Sequence, residues 1–541
     1  MTARAALLAL ALATGLLAPS LVLRGTWVPD ETRYADVARA MREEAGWLTP
    51  SLAGQAYSEK PPVFFWLAAG LTAAGASLDA APRAISIAAA IITIGLLPAI
   101  GARLGVPAPA AARAALILAT TPFFLVHAQM GLLDAWLTLL VTLAIGAKAA
   151  RARVAGPGRT GLALLEGVAL GAALLTKGPV ALLFPLGFRL GGLLSGPANA
   201  ARPDRSDALA LALAAALPLA WLALVWRENG AEYVAGLTIG QLELRIAGSP
   251  ETPHRRPPGF LAAVAILGLM PWALFGVAWI RRLRSASSRL ARDATGPLLG
   301  WFALPIALLA LLPSQQPHYA LPAFPAAALL LAPVTLEHAG RGAARALAVF
   351  CGSIGSAFVA LGAGASVFIP DGHALSDSLR LVCGDAWFRA IAIATGGALL
   401  ALCIRAGRAA APGRTGRGAA AAGAILFGGL LLLISRIDPV LVPRDLLARP
   451  EIASAQRIYS TSSLRSALRL WTPHREIGRI NETYVVELLP KDPGAVVLIW
   501  QKDVRRLRAE SVGGLAGLEE IGSGFVRGYR VVALRAERAE P

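Results

Sequence analysis

Between Trp27 and Trp66 the chain reads WVPDETRYADVARAMREEAGWLTPSLAGQAYSEKPPVFFW, and this stretch concentrates groups that could do chemistry. Asp30, Glu31, Asp36, Glu43, Glu44 and Glu59 supply carboxylates, Arg33 and Lys60 supply cations, and Tyr57 supplies a phenol. Further polar residues stand singly at the ends of apolar runs: Asp134, Lys177 in the turn TKGP, Arg245, and Gln315, Gln316, His318 and Tyr319. Lys and Arg at a membrane interface can hold a lipid phosphate. Carboxylates beside them can act as a base, or bind a cation that neutralises a leaving phosphate. This combination suits group transfer on a lipid-linked, phosphorylated substrate. Each residue also has a plainer reading. Asp30 and Glu31 could cap and open a helix over 31–45, with Arg39 and Arg42 near its far end. Glu59 and Lys60 could be a solvated pair, Asp134 a helix cap, Lys177 a helix terminator, and His127 a buried histidine.

The elements that must position these groups are membrane helices. The 541 residues are 56% hydrophobic and 16% charged, a composition of polytopic membrane proteins rather than soluble enzymes. The net charge of +18 falls in short clusters between apolar runs, so nucleic acid is not an expected partner. The N-terminal run could be a signal peptide or a first membrane helix, and the many spans that follow favour a retained helix. Twelve further runs lie at roughly 83–101, 110–128, 131–149, 160–178, 179–196, 207–226, 259–280, 296–313, 319–336, 343–369, 387–405 and 418–435, about thirteen spans in all. Pro61 to Ala76 is short and aromatic-rich, and reads as a helix lying in the interface.

Positive charge tests this layout. Loops expected inside carry Arg103 and Arg113, then Lys148, Arg151, Arg153 and Arg159, then Arg202 and Arg205, then Arg281, Arg282, Arg284, Arg289 and Arg292, then Arg341 and Arg345, then Arg405, Arg408, Arg414 and Arg417. Loops around Met130, Pro179, Gln315 and His373 carry hardly any, as the positive-inside rule requires of outer loops. The Trp27–Trp66 loop and the chemical residues gathered above then share the outer face. An odd number of spans also puts the C-terminal segment outside. There, RIYSTSSLRSALRLW reads as strand, turn and helix, EIGRI and TYVVELL as strands, AVVLIW as a strand leading into the helix QKDVRRLRAE, and YRVVALRAE as a closing strand. Three scattered cysteines make no disulfide framework. No P-loop, dinucleotide fingerprint or conventional metal-ligand spacing is present, and no nucleotide cofactor is expected outside the cell. An activated donor there would be carried by lipid.

At these residues a resemblance enters. DETRYADVARAM and GWLTPSLAGQAYSEKPPVFFW resemble the first exported loop of the bacterial aminoarabinose (lipid A) transferases. That family is related to the protein O-mannosyltransferases within the GT-C fold of polyprenyl-phosphate-sugar glycosyltransferases. The likeness continues through RAALILATTPFFLVHAQMGLLDAWLTL, GAALLTKGPVALLFP and HYALPAFPAAALLLA. The resemblance implies an all-α polytopic membrane protein of about thirteen transmembrane helices over 1–436, with a first periplasmic loop at 24–82. A small periplasmic α/β domain follows at 437–541. It implies Asp30 as the catalytic carboxylate, Lys60, Arg245 and Tyr319 as donor-phosphate ligands, and Arg33 and Tyr57 as loop residues that shape the cavity. Glu59, with Asp134 close by, matches positions associated with a divalent cation. The histidine that the family's aminoarabinose transferases carry shortly before the later-loop arginine is absent from IGQLELRIAG, so weak or absent metal dependence is expected and the sugar is left open.

The expected function is transfer of a sugar from a polyprenyl-phosphate donor to a lipid A, glycan or protein acceptor at the periplasmic face of the inner membrane. A lipid or sugar transporter, or a non-catalytic membrane scaffold, are the alternatives. A transporter would place polar groups at the midplane, and a scaffold leaves the charge pattern of the first loop without a purpose.

Overall fold

The computed structural model describes residues 2–536 except 28, 45, 53–54, 196–203, 242, 244–253, 286–288, 338–340, 365–375, 409–411, 461–467, 469–475, 480–484, 493, 510–516 and 527–528. Among the described residues, nine helices are long and apolar enough to cross a membrane. Two bent pairs raise this to eleven: Ala108–Ala119 with Pro122–Gln129 (59°), and Phe260–Gly268 with Trp272–Arg281 (92°). The thirteen expected runs each find a helix, but fewer of them meet the length criterion. The chain leaves helical geometry at Gly178 (φ 72°, ψ −158°), which separates Pro157–Lys177 from the twelve-residue Leu183–Leu194. The apolar part of another run is the short Thr295–Leu311.

The membrane helices pack around a core in which small residues set the spacing. Gly187 and Gly191 of Leu183–Leu194 face Gly296 and Gly300 of Arg289–Leu311. A methyl group added at Gly187 or Gly191 would collide with the carbonyl of Gly300 or Gly296, so the two backbones touch directly. This is the small-residue packing that joins helices where hydrophobicity cannot drive association.

The polar loop folds into a unit of its own. Tyr34, Val37, Ala38 and Met41 recur at helical spacing and form the buried face of the helix Asp30–Glu43. They pack on Tyr57, Phe64, Phe65, Ala68 and Ala69, of which the last four belong to the short apolar helix Val63–Ala73. At 1.5 Å per residue that helix reaches about 16 Å, too short to cross a bilayer. The long helix Arg205–Ala235 holds the loop's far side. Trp221 Nε1 donates to Leu48 O (3.1 Å), Asn229 Nδ2 to Thr49 Oγ1 (2.6 Å), and Tyr233 Oη to Tyr57 O (3.1 Å).

After the last long helix, Pro412–Leu441, comes a five-stranded sheet. Its order is Glu476–Arg479, Arg457–Ser460, Ala495–Trp500, Tyr529–Ala536, Leu518–Val526. The first three strands run parallel, and the last two join antiparallel, with Val497 opposite Leu534. The helix Gln501–Ala509 covers one face through Val504 and Leu507. Two expectations change here. TYVVELL reads as a strand from its paired valines, yet Val485–Leu488 is a helical turn that buries Val485 and Leu489 four residues apart. The strand Leu518–Val526, whose glycines and glutamates hid it from a strand reading, forms one edge.

Candidate active site

Two adjacent carboxylates at the start of the loop helix have different fates. Pro29 occupies the N-cap and makes no side-chain cap bond, so Asp30 is the first helical residue and not its cap. Successive helical residues point about 100° apart, which sends Glu31 into the protein. Its carboxylate takes both Arg24 Nη atoms (2.6 Å each) and the backbone N–H groups of Trp27 (2.8 Å) and Gly131 (2.7 Å). Burial raises the Glu31 carboxyl, but the Arg24 guanidinium and these donors outweigh it and hold the pKa below its ordinary 4.5. Arg24 in turn donates to Gln129 O (2.7 Å), and Arg83 donates to Arg24 O (2.8 Å) and Ser20 O (3.0 Å). Glu31 is therefore a staple between the loop and the membrane helices.

Asp30 instead borders a cavity of about 190 Å³. Six residues expected at the site line it: Asp30, Arg33, Glu59, Lys60, Asp134 and Tyr319. Arg33 bridges two of them, donating to Asp30 and to Glu59 Oε2 (3.0 Å). Burial works against the Arg33 charge, but the Asp30 and Glu59 carboxylates that it contacts overcome it and raise the pKa. Tyr57 is buried beside the cavity with its ring edge-on to Phe65 at 5.9 Å, and burial together with Glu59 pushes its pKa up, so it stays a neutral phenol. Arg245 lies outside the described residues.

The other wall is built by helix ends. Asp134 is the second residue of Leu133–Arg151 and Lys177 the last of Pro157–Lys177, positions where an anion and a cation suit the helix dipole. They form an ion pair, with side chains 3% and 10% exposed. Lys177 Nζ also sits 4.2 Å from the centre of the Tyr319 ring. Tyr319 belongs to the 3-10 turn Pro317–Ala323, which Trp301 Nε1 anchors through Pro322 O (2.9 Å). His318 of the same turn lies 3.7 Å from Asp134 and stacks edge-on to Tyr319 at 5.1 Å.

Sequence reasoning grouped Gln315 with these residues. The structure makes it a second staple: Oε1 accepts from Leu261 N (2.9 Å), and Nε2 donates to Leu312 O (2.7 Å), Ala310 O (3.2 Å) and Pro257 O (3.3 Å). Gln241 and His254 also line the cavity and were not singled out in the sequence. A lone histidine in TPHRRPPG carries no local signal; only its place opposite a distant turn reveals it. His127 is held by Phe123, with Nδ1 donating to Phe123 O (2.8 Å).

Glu59 and Asp134 border the same cavity, but each is already matched to a cation, Arg33 and Lys177 respectively. Among the described residues no group of three or more His, Cys, Asp or Glu is arranged to hold a metal ion. Among the described residues, these two carboxylates, each taken by a cation of the protein, do not make a divalent-cation site. A second cavity, of about 260 Å³, lies between Arg24, Asp438 and Asp445. The Arg24 guanidinium on its border is already paired with Glu31.

Comparison with known proteins places this architecture. Residues 2–190 match the family described as dolichyl-phosphate-mannose-protein mannosyltransferase. The chain is 32% identical over 371 residues to the undecaprenyl phosphate-alpha-4-amino-4-deoxy-L-arabinose arabinosyl transferase of Pseudomonas savastanoi pv. phaseolicola, covering 67% of each protein. It is 30% identical over 326 residues to the enzyme of that name from Pseudomonas aeruginosa (strain UCBPP-PA14), where the alignment spans 57% of this chain and 55% of the relative. The fold matches the crystal structure of ArnT from Cupriavidus metallidurans bound to undecaprenyl phosphate, with a TM-score of 0.76, 20% identity and 99% of each chain covered. The apo state of the same protein matches with a TM-score of 0.74 at 20% identity, covering 99% of this chain and 98% of that one. A GT-C-type polytopic frame and a relative matched over two thirds of its length agree: the chain belongs to the family of the undecaprenyl phosphate-alpha-4-amino-4-deoxy-L-arabinose arabinosyl transferases, which are membrane glycosyltransferases.

Proposed function

We propose that this protein transfers a sugar from a polyprenyl-phosphate carrier to a lipid A, glycan or protein acceptor at the periplasmic face of the inner membrane. The observation that carries the reading is the cavity itself. It brings Asp30 and Lys60 of the first loop, Lys177 and Tyr319 from three separate parts of the chain to one polar site beside the membrane helices. The names of the relatives make 4-amino-4-deoxy-L-arabinose on undecaprenyl phosphate the first donor to test.

In this reading the acceptor oxygen attacks the anomeric carbon and the bond from that carbon to the phosphate oxygen breaks. The electron pair leaves with the polyprenyl phosphate. Lys60 and Tyr319 hold that phosphate as its charge grows, and Arg245 is proposed to join them. With a hydroxyl acceptor, Asp30 takes the acceptor proton, and Arg33, which donates to it, orients the carboxylate. With a phosphate acceptor there is no proton to remove, and Asp30 orients the nucleophile. Lys177 and Asp134 form the fixed, paired wall. The periplasmic placement of the cavity and of the sheet domain is supported by the clustering of Lys and Arg in the opposite loops.

The test is transfer by the purified protein from defined polyprenyl-phosphate sugars, with lipid A, glycan and peptide acceptors run in parallel. Product with at least one acceptor is expected. Failure with every donor, alongside vectorial movement of a lipid or sugar across proteoliposomes, would replace the reading with transport.

A further inference from the structure

His254 stands apart from every other described residue: it is the only non-glycine with a positive φ, 57°. A left-handed backbone is costly for a side-chain-bearing residue and persists only where its surroundings impose it. Here they do. Gln315 N donates to His254 O (3.2 Å), Arg256 N donates to Pro313 O (3.0 Å), and Gly259 N donates to Ala310 O (3.1 Å). Arg255 and Ser314 form an antiparallel bridge between these bonds. The buried Gln315 side chain bonds both strands of this clamp, as described above. A rigid clamp thus holds one residue in an unfavourable conformation, and that residue lines the active-site cavity.

The cavity explains what a neutral donor would do there. Its described charges cancel, with Asp30, Glu59 and Asp134 against Arg33, Lys60 and Lys177. Two of those cations are engaged with carboxylates of the same wall. A phosphate entering this site needs hydrogen-bond donors beyond the paired charges. An imidazole N–H is such a donor, and it brings no countercharge to be neutralised.

We propose that His254 is a substrate-contacting residue whose imidazole donates a hydrogen bond to the phosphate of the polyprenyl carrier, and that the 254–260/310–315 clamp exists to hold it there. This rests on the proposed function, because the phosphate is that of the donor.

The test separates backbone from side chain. His254→Gly removes the imidazole and relieves the left-handed strain, so the fold is kept. His254→Asn tolerates the same backbone and keeps an N–H donor. Binding of undecaprenyl phosphate to the full-length protein in detergent is measured for each, with the unfolding temperature and the KM for donor and acceptor. For His254→Gly the expected result is an unchanged or higher unfolding temperature and binding about fivefold to tenfold weaker. Its donor KM rises in step while the acceptor KM does not move. His254→Asn stays within about threefold of wild type, as expected for one retained neutral bond. A His254→Gly protein that binds undecaprenyl phosphate like wild type overturns the proposal and leaves the clamp a purely structural device. Wild-type protein that does not bind undecaprenyl phosphate overturns the functional reading beneath it.

Discussion

The helix Leu133–Arg151 carries a charge cluster at each end, about 25 Å apart at 1.5 Å per residue. At its start Asp134 pairs with Lys177 beside the Asp30–Arg33–Glu59 chain. At its end Arg151 binds Glu166 (2.5 Å), Asp207 (2.7 Å) and Ser206 Oγ (2.7 Å), Lys148 also reaches Asp207, and Arg159 reaches Asp204. The second cluster joins three helices, with Asp204 and Asp207 forming a capping box at the start of Arg205–Ala235. Both clusters have three cations and three carboxylates. Charge alone therefore does not mark a site. The first cluster borders a cavity and is accompanied by histidines and Tyr319; in the second, the side chains close on one another. Ion pairs at one end of a helix are poised for a ligand, and at the other they lock the frame.

The sharpest way to break this comparison is Asp30→Asn. Asp30 is not the helix cap, so the fold should survive. The transfer rate to a hydroxyl acceptor should fall by roughly 10²–10⁴, with binding of undecaprenyl phosphate kept within about twofold. A fully active Asp30→Asn enzyme would reduce both clusters to the same structural role. The counterpart at the far end is Arg151→Met, which leaves the half-buried Glu166 without its cation and Asp207 with Lys148 alone. It should cost about 2–3 kcal/mol of stability, less than for a fully buried charge left unpaired, seen as a lowered unfolding temperature, while turnover per folded molecule is unchanged. Loss of turnover with intact stability would mean that the far cluster reaches the chemistry.

Lys60→Ala comes next. Removing a charge-assisted contact worth about 1.5–3 kcal/mol should weaken undecaprenyl phosphate binding by roughly ten- to a hundredfold. Unchanged binding, measured on the purified variant, would remove Lys60 from the phosphate site. Acid should then act through Glu31. Its folded pKa lies below the ordinary 4.5, so its contribution is present above that value and lost as pH falls through the folded pKa. Unfolding temperature plotted against pH should drop below about 4.5, and Glu31→Gln should flatten that limb. A limb that is the same in both proteins would assign it to other carboxylates. The smallest effect expected is that of a chelator. Because Glu59 and Asp134 are matched to Arg33 and Lys177, we propose that EDTA changes the rate less than about twofold, whereas a metal-dependent hydrolytic or transfer step would lose most of its rate. Strong loss restored by zinc alone would show that these carboxylates hold a metal.

The sequence was most legible where one physical signal dominated. Apolar runs of membrane length and the opposing Arg-rich loops gave the helical frame, and the carboxylates Asp30 and Glu31 ahead of Arg39 and Arg42 pointed to the loop helix, whose buried face the structure shows at Tyr34, Val37, Ala38 and Met41. Asp30, Arg33, Glu59, Lys60, Asp134 and Tyr319 drew attention as polar groups beside apolar sequence, and the structure brings them to one cavity. Glu31 and Gln315 were harder. Each looks like its reactive neighbour in the sequence, and only the direction of one side chain turns it into a staple. His254 was invisible, since its importance lies in a backbone angle and in contact with residues 313–315. The misread turn at Val485 shows the same limit: valines favour strands, but four residues follow the packing around them.

The Glu31 staple has a consequence for motion. Through Arg24 and Gly131 it fastens the helix carrying Asp30 to the first membrane segment and to the entrance of Leu133–Arg151. The base proposed above, mounted this way, is not part of a swinging lid. Its amides belong with the slowest-exchanging part of the molecule, opening only when the fold opens, and not on the microsecond-to-millisecond scale of gating loops. Encounter then depends on the lipid. On the proposed function, the long carrier slides along the bilayer to a fixed post instead of drawing the Asp30 helix over itself.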